Sequence, residues 1–248
     1  QGYIRRRLLP EEANQVQEIG ELALEMPMEN DRHYPQGSMA AHVLGYVAAD
    51  DNGRVGMEHV LNDHLTNPAT RGTPVALSID SRVQGALEDE LRRGMKLVQA
   101  QGGAGIVLDV DSGEVLALAS LPEFDPNKID ERGQKLMFNR VTNQVYELGS
   151  TFKPLTVAAA IDAGEVRNLG RRWDARPVKV GRFSIKDSHD MGADLNVIET
   201  LIHSSNTVTA RVADELGPER MRRYMMDLGM NERPYIELPA KGFPIWPG

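Results

Sequence analysis

The fifteen residues Gly105-Ile-Val-Leu-Asp-Val-Asp-Ser-Gly-Glu-Val-Leu-Ala-Leu-Ala119 hold two apolar runs joined by a short turn-forming link, the pattern of a β-hairpin. Apolar side chains fall on both alternating faces of the pair. The hairpin is therefore expected inside a sheet covered on two sides rather than washed on one. Helices have to supply the covers. Downstream, residues 151–163, 196–203, 207–216 and 218–228 each show helical periodicity or a capping signal. Upstream, residues 75–79 read as a short strand, and Asp80 or Ser81 is placed to cap a following helix. On that helix Val83, Leu87, Leu91 and Val98 fall near helical spacing and mark one buried stripe. A strand, a helix, a hairpin and then several helices predict an α+β domain with an antiparallel sheet.

The first seventy or so residues differ in character. They mix polar helical stretches with turn signals at Gly37, Gly53, Gly56 and Pro68 and contain no long apolar strand. The composition shifts near Thr73-Pro74. Residues 1–73 are accordingly expected to form an accessory region and residues 74–248 the main domain.

The whole chain has 248 residues, 41% of them hydrophobic and 26% charged, as in a globular protein with a sizeable core. Its net charge of −8 excludes a general nucleic-acid binder, which needs a clustered positive surface. The run Arg5-Arg6-Arg7 is short enough to read as a solvated face. Cysteine is absent, so disulfides, thiol catalysis and cysteine zinc sites are excluded. No apolar run reaches the roughly 18 residues that a membrane-spanning helix needs. His59 and His64 are five apart, which does not put them on one helical face as a zinc pair requires. Met221, Met225 and Met226, with Leu228, read as core packing.

The chemistry concentrates in Glu147-Leu-Gly-Ser-Thr-Phe-Lys-Pro154, which contains Ser-x-x-Lys at Ser150 and Lys153. With ten serines and seven lysines in the chain, roughly 0.3 such matches arise by chance, so the context has to carry the inference. Pro154 is tolerated only in the first turn of a helix, which sets the helix start close to Ser150. Residues three apart share a helical face, so Lys153 reaches Ser150 and, once desolvated, can take its proton. The same helix start can stabilise an oxyanion. Taken alone, the tetrapeptide is equally a Ser N-cap followed by a solvated lysine. A second element, Ser204-Ser205-Asn206, lies in an inter-helix turn with His203 beside it. There Ser204 can relay a proton and Asn206 can hold a substrate amide, although both residue types are also common helix caps.

Together the two elements resemble the serine acyltransferases that carry Ser-x-x-Lys, Ser-x-Asn and Lys-Thr/Ser-Gly motifs. Four further stretches, with the words around Ser-x-x-Lys itself, widen the resemblance and point to the class B penicillin-binding proteins: Arg32-His-Tyr-Pro35, His42-Val-Leu-Gly45, Leu77-Ser-Ile-Asp-Ser-Arg-Val-Gln84 and Val107-Leu-Asp-Val-Asp-Ser-Gly-Glu-Val-Leu-Ala117, together with Gly149-Ser-Thr-Phe-Lys-Pro154. They cover most of the chain in the expected order. The sequence is most similar to the cell-division branch of that class.

The resemblance implies a transpeptidase fold, its antiparallel sheet covered by helices, behind an N-terminal pedestal. It implies a serine D-Ala-D-Ala transpeptidase of septal wall synthesis, held at the periplasmic face of a bacterial inner membrane by one anchor. Peptidoglycan stem peptides are the implied substrates and β-lactams the covalent inhibitors. A membrane glycosyltransferase and other division proteins are the implied partners, and no cofactor is required. Ser150 is the implied nucleophile and Lys153 the base, with Ser204 and Asn206 catalytic and substrate-binding. Two departures stand out: no anchor precedes Gln1, and no Lys-Thr-Gly or Lys-Ser-Gly follows Asn206, since Lys241-Gly242 lacks the intervening residue. The chain is therefore expected to be a fragment, with further strands and the third motif beyond Gly248. A serine β-lactamase, a penicillin sensor or a non-catalytic division scaffold of the same fold are the alternatives.

Overall fold

The computed structural model describes residues 4, 5, 8, 10–28 and 31–246. The chain divides into two compact units, Gln1–Asn143 with Ile236–Lys241, and Gln144–Tyr235 with Gly242–Gly248.

The first unit contains α1 (Pro10–Glu18), α2 (Ala41–Leu44), β1 (Tyr46–Val47), β2 (Gly53–Val55), α3 (Gly56–Val60), α4 (Asn62–Thr66), α5 (Ser81–Val98), β3 (Gly103–Leu108), β4 (Val115–Leu121), α6 (Glu131–Leu136) and α7 (Arg140–Asn143). Strands β3 and β4 are the expected hairpin, antiparallel, with Gly105 opposite Ala119 and Val107 opposite Ala117. Its link is tied by Asp109, whose Oδ1 accepts from the N–H groups of Asp111 and Ser112. Helix α5 starts where Asp80 accepts from the N–H groups of Arg82 and Val83. It lies on the β3 face that carries Gly103 and Gly105. A Cβ on Gly105 would come within 2.9 Å of Leu87, so the missing side chain is what admits the helix.

Side chains alternate along a strand, so Ile106 and Leu108 point away from α5, and they are 43% and 50% exposed. Across the pair Leu118 is buried against Ala40, Val43 and Leu238. The expected two-sided cover is thus present over β4 and missing over the end of β3. The second layer, drawn from α2 and from residues 236–241, packs on β4.

Two further expectations do not hold. Residues 75–79 form no strand; the backbone makes a single tie, Asp80 N–H to the Leu116 carbonyl, assisted by the Ser78 hydroxyl on the Val115 carbonyl. Val98, placed in the buried stripe of α5, is 71% exposed because it is the helix's last residue. The fully covered positions of α5 are instead polar, Gln84 and Glu88. Gln84 acts as a strand partner for β4: its Nε2 donates to the Leu118 carbonyl and its Oε1 accepts the Leu118 N–H. Glu88 accepts from Gln84 and from the Ala40 N–H. These bonds close the outer edge of the hairpin, where unpaired N–H and C=O groups are a liability. A buried group left unpaired costs about 1–3 kcal/mol, so Gln84→Met is expected to lower stability by about 2–5 kcal/mol in a denaturant titration. An unchanged midpoint would mean that the Leu118 backbone finds other partners.

The second unit contains a 3-10 turn (Gly149–Phe152), α8 (Lys153–Asp162), β5 (Arg172–Asp174), β6 (Val178–Val180), β7 (Phe183–Ile185), β8 (Asp194–Asn196), α9 (Val197–His203), α10 (Asn206–Leu216) and α11 (Pro218–Asp227). Strand β5 pairs with β8 and β6 with β7, both antiparallel. Val157 and Ala160 of α8, Trp173, Leu195, Val197, and Val208 and Val212 of α10 form its core. The four helices expected from sequence are present; the four short strands were not anticipated. On α11 and just beyond it, Met225 is buried, whereas Met226 and Leu228, expected in the core, are exposed. Ten residues of helix carry one buried stripe, and Met225 occupies it.

Some remaining sequence features fall outside any site. His59 and His64 each meet a backbone carbonyl, of Gly53 and Thr73. Arg5 pairs with Glu12, while Arg6 and Arg7 lie outside the described residues. Among the described residues no helix is long and apolar enough to cross a membrane.

Candidate active site

Gly149 takes a left-handed φ of 56° and opens the 3-10 turn that runs directly into α8. Ser150 is therefore held in the first turn of a continuous helical segment, exposed, as its spacing to Pro154 predicts. Lys153, Thr156, Val157 and Ala160 are the buried face of α8, at the i, i+3, i+4, i+7 positions of one stripe. The sequence thus places a lysine where helical geometry demands a core residue. Its side chain is only 8% exposed.

The second element lies between α9 and α10. Asn196 and Glu199 form a reciprocal capping box that fixes the start of α9. Ser204 ends that helix in the left-handed conformation, φ 56°, uncommon for a residue with a side chain. Ser205 caps α10 by accepting from the Val208 N–H. The N-cap of α10 is thus the residue between Ser204 and Asn206, while Ser204 caps the C-terminus of α9.

The structure brings Ser150, Lys153 and Ser204 together. Lys153 Nζ donates to Ser150 Oγ at 3.1 Å, to Ser204 Oγ at 2.8 Å and to the Ser204 carbonyl at 2.5 Å. Ser204 Oγ donates to Ser150 Oγ at 2.8 Å, closing a triangle of two hydroxyls and an amine. Asn206 stands at the start of α10, exposed, with its Nδ2 donating to the Lys186 carbonyl at 3.2 Å.

Burial pushes the Lys153 ammonium below the ordinary lysine value, and the negative charge of Asp187 opposes that shift. Desolvation favours the neutral amine, the form that accepts a proton. When neutral, Lys153 keeps two N–H groups and gains a lone pair. The Ser204 carbonyl can only accept, so one N–H stays with it; the lone pair is then free to take the proton of a hydroxyl. If Lys153 acts as base, acylation at this site should speed up with rising pH and level off at an apparent pKa below that of free lysine. A single-turnover pH profile measures this. A rate independent of pH across the alkaline range would count against a lysine base.

Sequence reasoning missed Asp187, which lies between β7 and β8. Its Oδ2 accepts from the Ser205 hydroxyl at 2.8 Å and the Thr207 hydroxyl at 2.7 Å. Its Oδ1 accepts from the Thr207 N–H at 3.2 Å and closely from the Asn206 N–H. Burial alone would raise this carboxyl, but the bonds from Thr207, Ser205 and Asn206 outweigh it and hold Asp187 below the usual carboxylate range.

A serine hydroxyl at a helix start, bonded to a buried amine and bridged by a second hydroxyl, is the arrangement of an activated-serine acyl-transfer site. Its family follows from comparison with known proteins. A family model described as the penicillin binding protein transpeptidase domain matches residues 103–243, and the chain belongs to that family. It is 38% identical, over 99% of its length, to the probable peptidoglycan D,D-transpeptidase FtsI of Caulobacter vibrioides, matching 42% of that protein. To the peptidoglycan D,D-transpeptidase FtsI of Escherichia coli strain K12 it is 28% identical, over 85% of this chain and 39% of the other. The chain therefore spans less than half the length of these curated relatives. Among solved structures, penicillin binding protein 3 from Mycobacterium tuberculosis complexed with ampicillin aligns with a TM-score of 0.79 at 24% identity, covering 89% of this chain and 51% of that one. At that identity the likeness shows the fold.

Proposed function

We propose that this chain carries the acylating residues of a peptidoglycan D,D-transpeptidase of the cell-division type, similar to penicillin-binding protein 3. The observation that carries the reading is the buried Lys153 amine within hydrogen-bond reach of both the Ser150 and Ser204 hydroxyls. Ser150 Oγ attacks the carbonyl of the penultimate D-alanine in a stem peptide ending in D-Ala-D-Ala. Lys153 takes the hydroxyl proton, and Ser204, bonded to both, passes it to the departing D-alanine nitrogen as the peptide bond breaks. Asn206 hydrogen-bonds the peptide. An amine from a neighbouring stem then attacks the acyl-enzyme, forms the crosslink and restores the Ser150 hydroxyl. No metal or organic cofactor enters these steps.

In the same proposal residues 1–73 form part of an N-terminal pedestal and residues 74–248 part of the transpeptidase domain. The whole protein is anchored at the periplasmic face of the inner membrane beside a glycosyltransferase and other division proteins. β-Lactams acylate Ser150 because their strained carbonyl meets an activated hydroxyl.

Exposure of the intact protein to a labelled penicillin, followed by intact-mass measurement, tests the reading. One stable equivalent of label is expected. Rapid turnover of the penicillin would make the protein a hydrolase of the β-lactamase kind, and the absence of any adduct would remove the acyl-transfer reading.

A further inference from the structure

The turn that delivers Ser204 to Lys153 is closed onto α9 by two backbone bonds, Ser204 N–H to the Leu201 carbonyl at 3.3 Å and Ser205 N–H to the Thr200 carbonyl at 3.0 Å, but these set only how α9 ends. Only Ser204 and Ser205 separate the last residue of α9 from the first of α10, and Ser204 takes the left-handed conformation of a helix C-cap, so the direction in which the chain enters α10 depends on what holds residues 205–207. The first N–H groups of α10 have no partner within the helix. Ser205 and Thr207 are fully buried, so their hydroxyls require partners inside the protein.

One side chain meets most of these needs, while the Val208 N–H goes to the Ser205 hydroxyl and the Thr207 hydroxyl also reaches the Ala175 carbonyl at 3.0 Å. Asp187 accepts from the Ser205 and Thr207 hydroxyls and from the N–H groups of Asn206 and Thr207. The preceding residue adds a fifth tie, its carbonyl accepting from the Asn206 amide. Segment and turn are far apart in sequence and belong to different elements, so these bonds are the means by which the strand end sets the turn's position. We infer that Asp187 is a positioning residue: by gripping residues 205–207 it fixes where the Ser204 hydroxyl and carbonyl meet Lys153, and hence the alignment of the base with Ser150. The inference rests on the acyl-transfer reading of Ser150 and Lys153.

A carboxylate offers two anionic oxygens to four donors, whereas an amide of the same shape offers one oxygen and adds two competing N–H donors. In Asp187→Asn the four donors cannot all keep their acceptor, and the turn relaxes. A small displacement of aligned groups is enough to cost on the order of 10- to 100-fold in rate.

The test is stopped-flow acylation of the intact protein by saturating β-lactam, with rate constant and amplitude read separately. Unfolding lowers the amplitude, because fewer molecules react, and leaves the rate constant of the folded molecules alone. A positioning role lowers the rate constant. The expected result is a rate constant about 10- to 100-fold lower in Asp187→Asn. Asp190→Asn, altering an exposed acid of the same segment, should match wild type. If Asp187→Asn does not fold, the pair Thr207→Ser and Thr207→Val replaces it: Ser keeps the hydroxyl bonded to Asp187 and should retain the rate, while Val keeps the bulk and should lose it. A wild-type rate constant in Asp187→Asn, or equal rates in the two Thr207 variants, overturns the positioning role alone. A wild-type protein that takes no label overturns it together with the acyl-transfer reading.

Discussion

Lys153→Met is expected to acylate with β-lactam about 10² to 10⁴ times more slowly than wild type, the usual worth of a positioned acid or base. Lys153 lies on the buried stripe of α8, in a position that apolar residues normally occupy. Methionine matches its length, fills the same channel and removes an ammonium that is costly to desolvate. Against that gain the Ser204 carbonyl loses its donor, so overall stability should stay near that of wild type. What disappears is the amine proposed to take the Ser150 proton, 3.1 Å from its hydroxyl. Lys153→Arg separates charge from basicity. It keeps a cation in the site, but a guanidinium remains protonated at any accessible pH and cannot act as base. Both variants should therefore be slow. A wild-type rate constant in either, measured on protein with a native unfolding transition, would transfer the role of base to another residue.

The legible parts of the fold are those where a local signal suffices. Asp80 capping α5, the Asn196–Glu199 box opening α9 and Pro218 in the first turn of α11 each mark a boundary that the structure keeps to within a residue or two. The hairpin was readable because a turn-forming link separates two apolar runs. The strands of the second unit run three residues each, too short for alternation to register, and what pairs them is distant in sequence: Arg172 lies opposite Asn196. Burial was misread where a helix ends, at Val98, and where a polar side chain takes a core position, at Gln84. Periodicity scores apolar residues and cannot see a glutamine that stands in for a strand.

The site divides in the same way. Ser150 and Lys153 belong to one helical segment, so their spacing alone placed the hydroxyl and the amine on a common face. Ser204 and Asn206 were legible only as polar residues of an inter-helix turn until the resemblance joined them to Ser150 and Lys153, since nothing local says that a turn 51 residues after Lys153 returns to it. Asp187 gave no signal. It is one of 36 acidic residues, and its significance lies wholly in a contact between a strand end and a helix start. Its sequence neighbourhood, Ile185-Lys-Asp-Ser188, resembles any exposed turn.

Ser150→Ala should abolish covalent labelling altogether, and peptide mapping of the labelled wild type should place the adduct on residues that include Ser150. Two hydroxyls compete for the role of nucleophile, because Ser204 Oγ is closer to Lys153 Nζ than Ser150 Oγ is, 2.8 Å against 3.1 Å. Proximity to the base does not decide the matter; the surroundings do. Ser150 sits in the first turn of the segment leading into α8, at the positive end of the helix, where the negative charge of an attacked carbonyl is stabilised. Ser204 lies between the C-terminus of α9 and the N-terminus of α10, whose opposite poles offset each other there, so it lacks the one-sided stabilisation that Ser150 has. Ser150 is exposed and Ser204 only partly so, which leaves the Ser150 hydroxyl open to a substrate carbonyl. Ser204→Ala removes the relay hydroxyl and keeps the Lys153 bond to the Ser204 carbonyl, so it should slow acylation while still yielding one equivalent of label on Ser150. With the proposed roles the two variants differ in kind: one loses the bond-forming atom, the other only a proton carrier. Label recovered on Ser204, or full labelling of Ser150→Ala, would exchange the roles of the two serines.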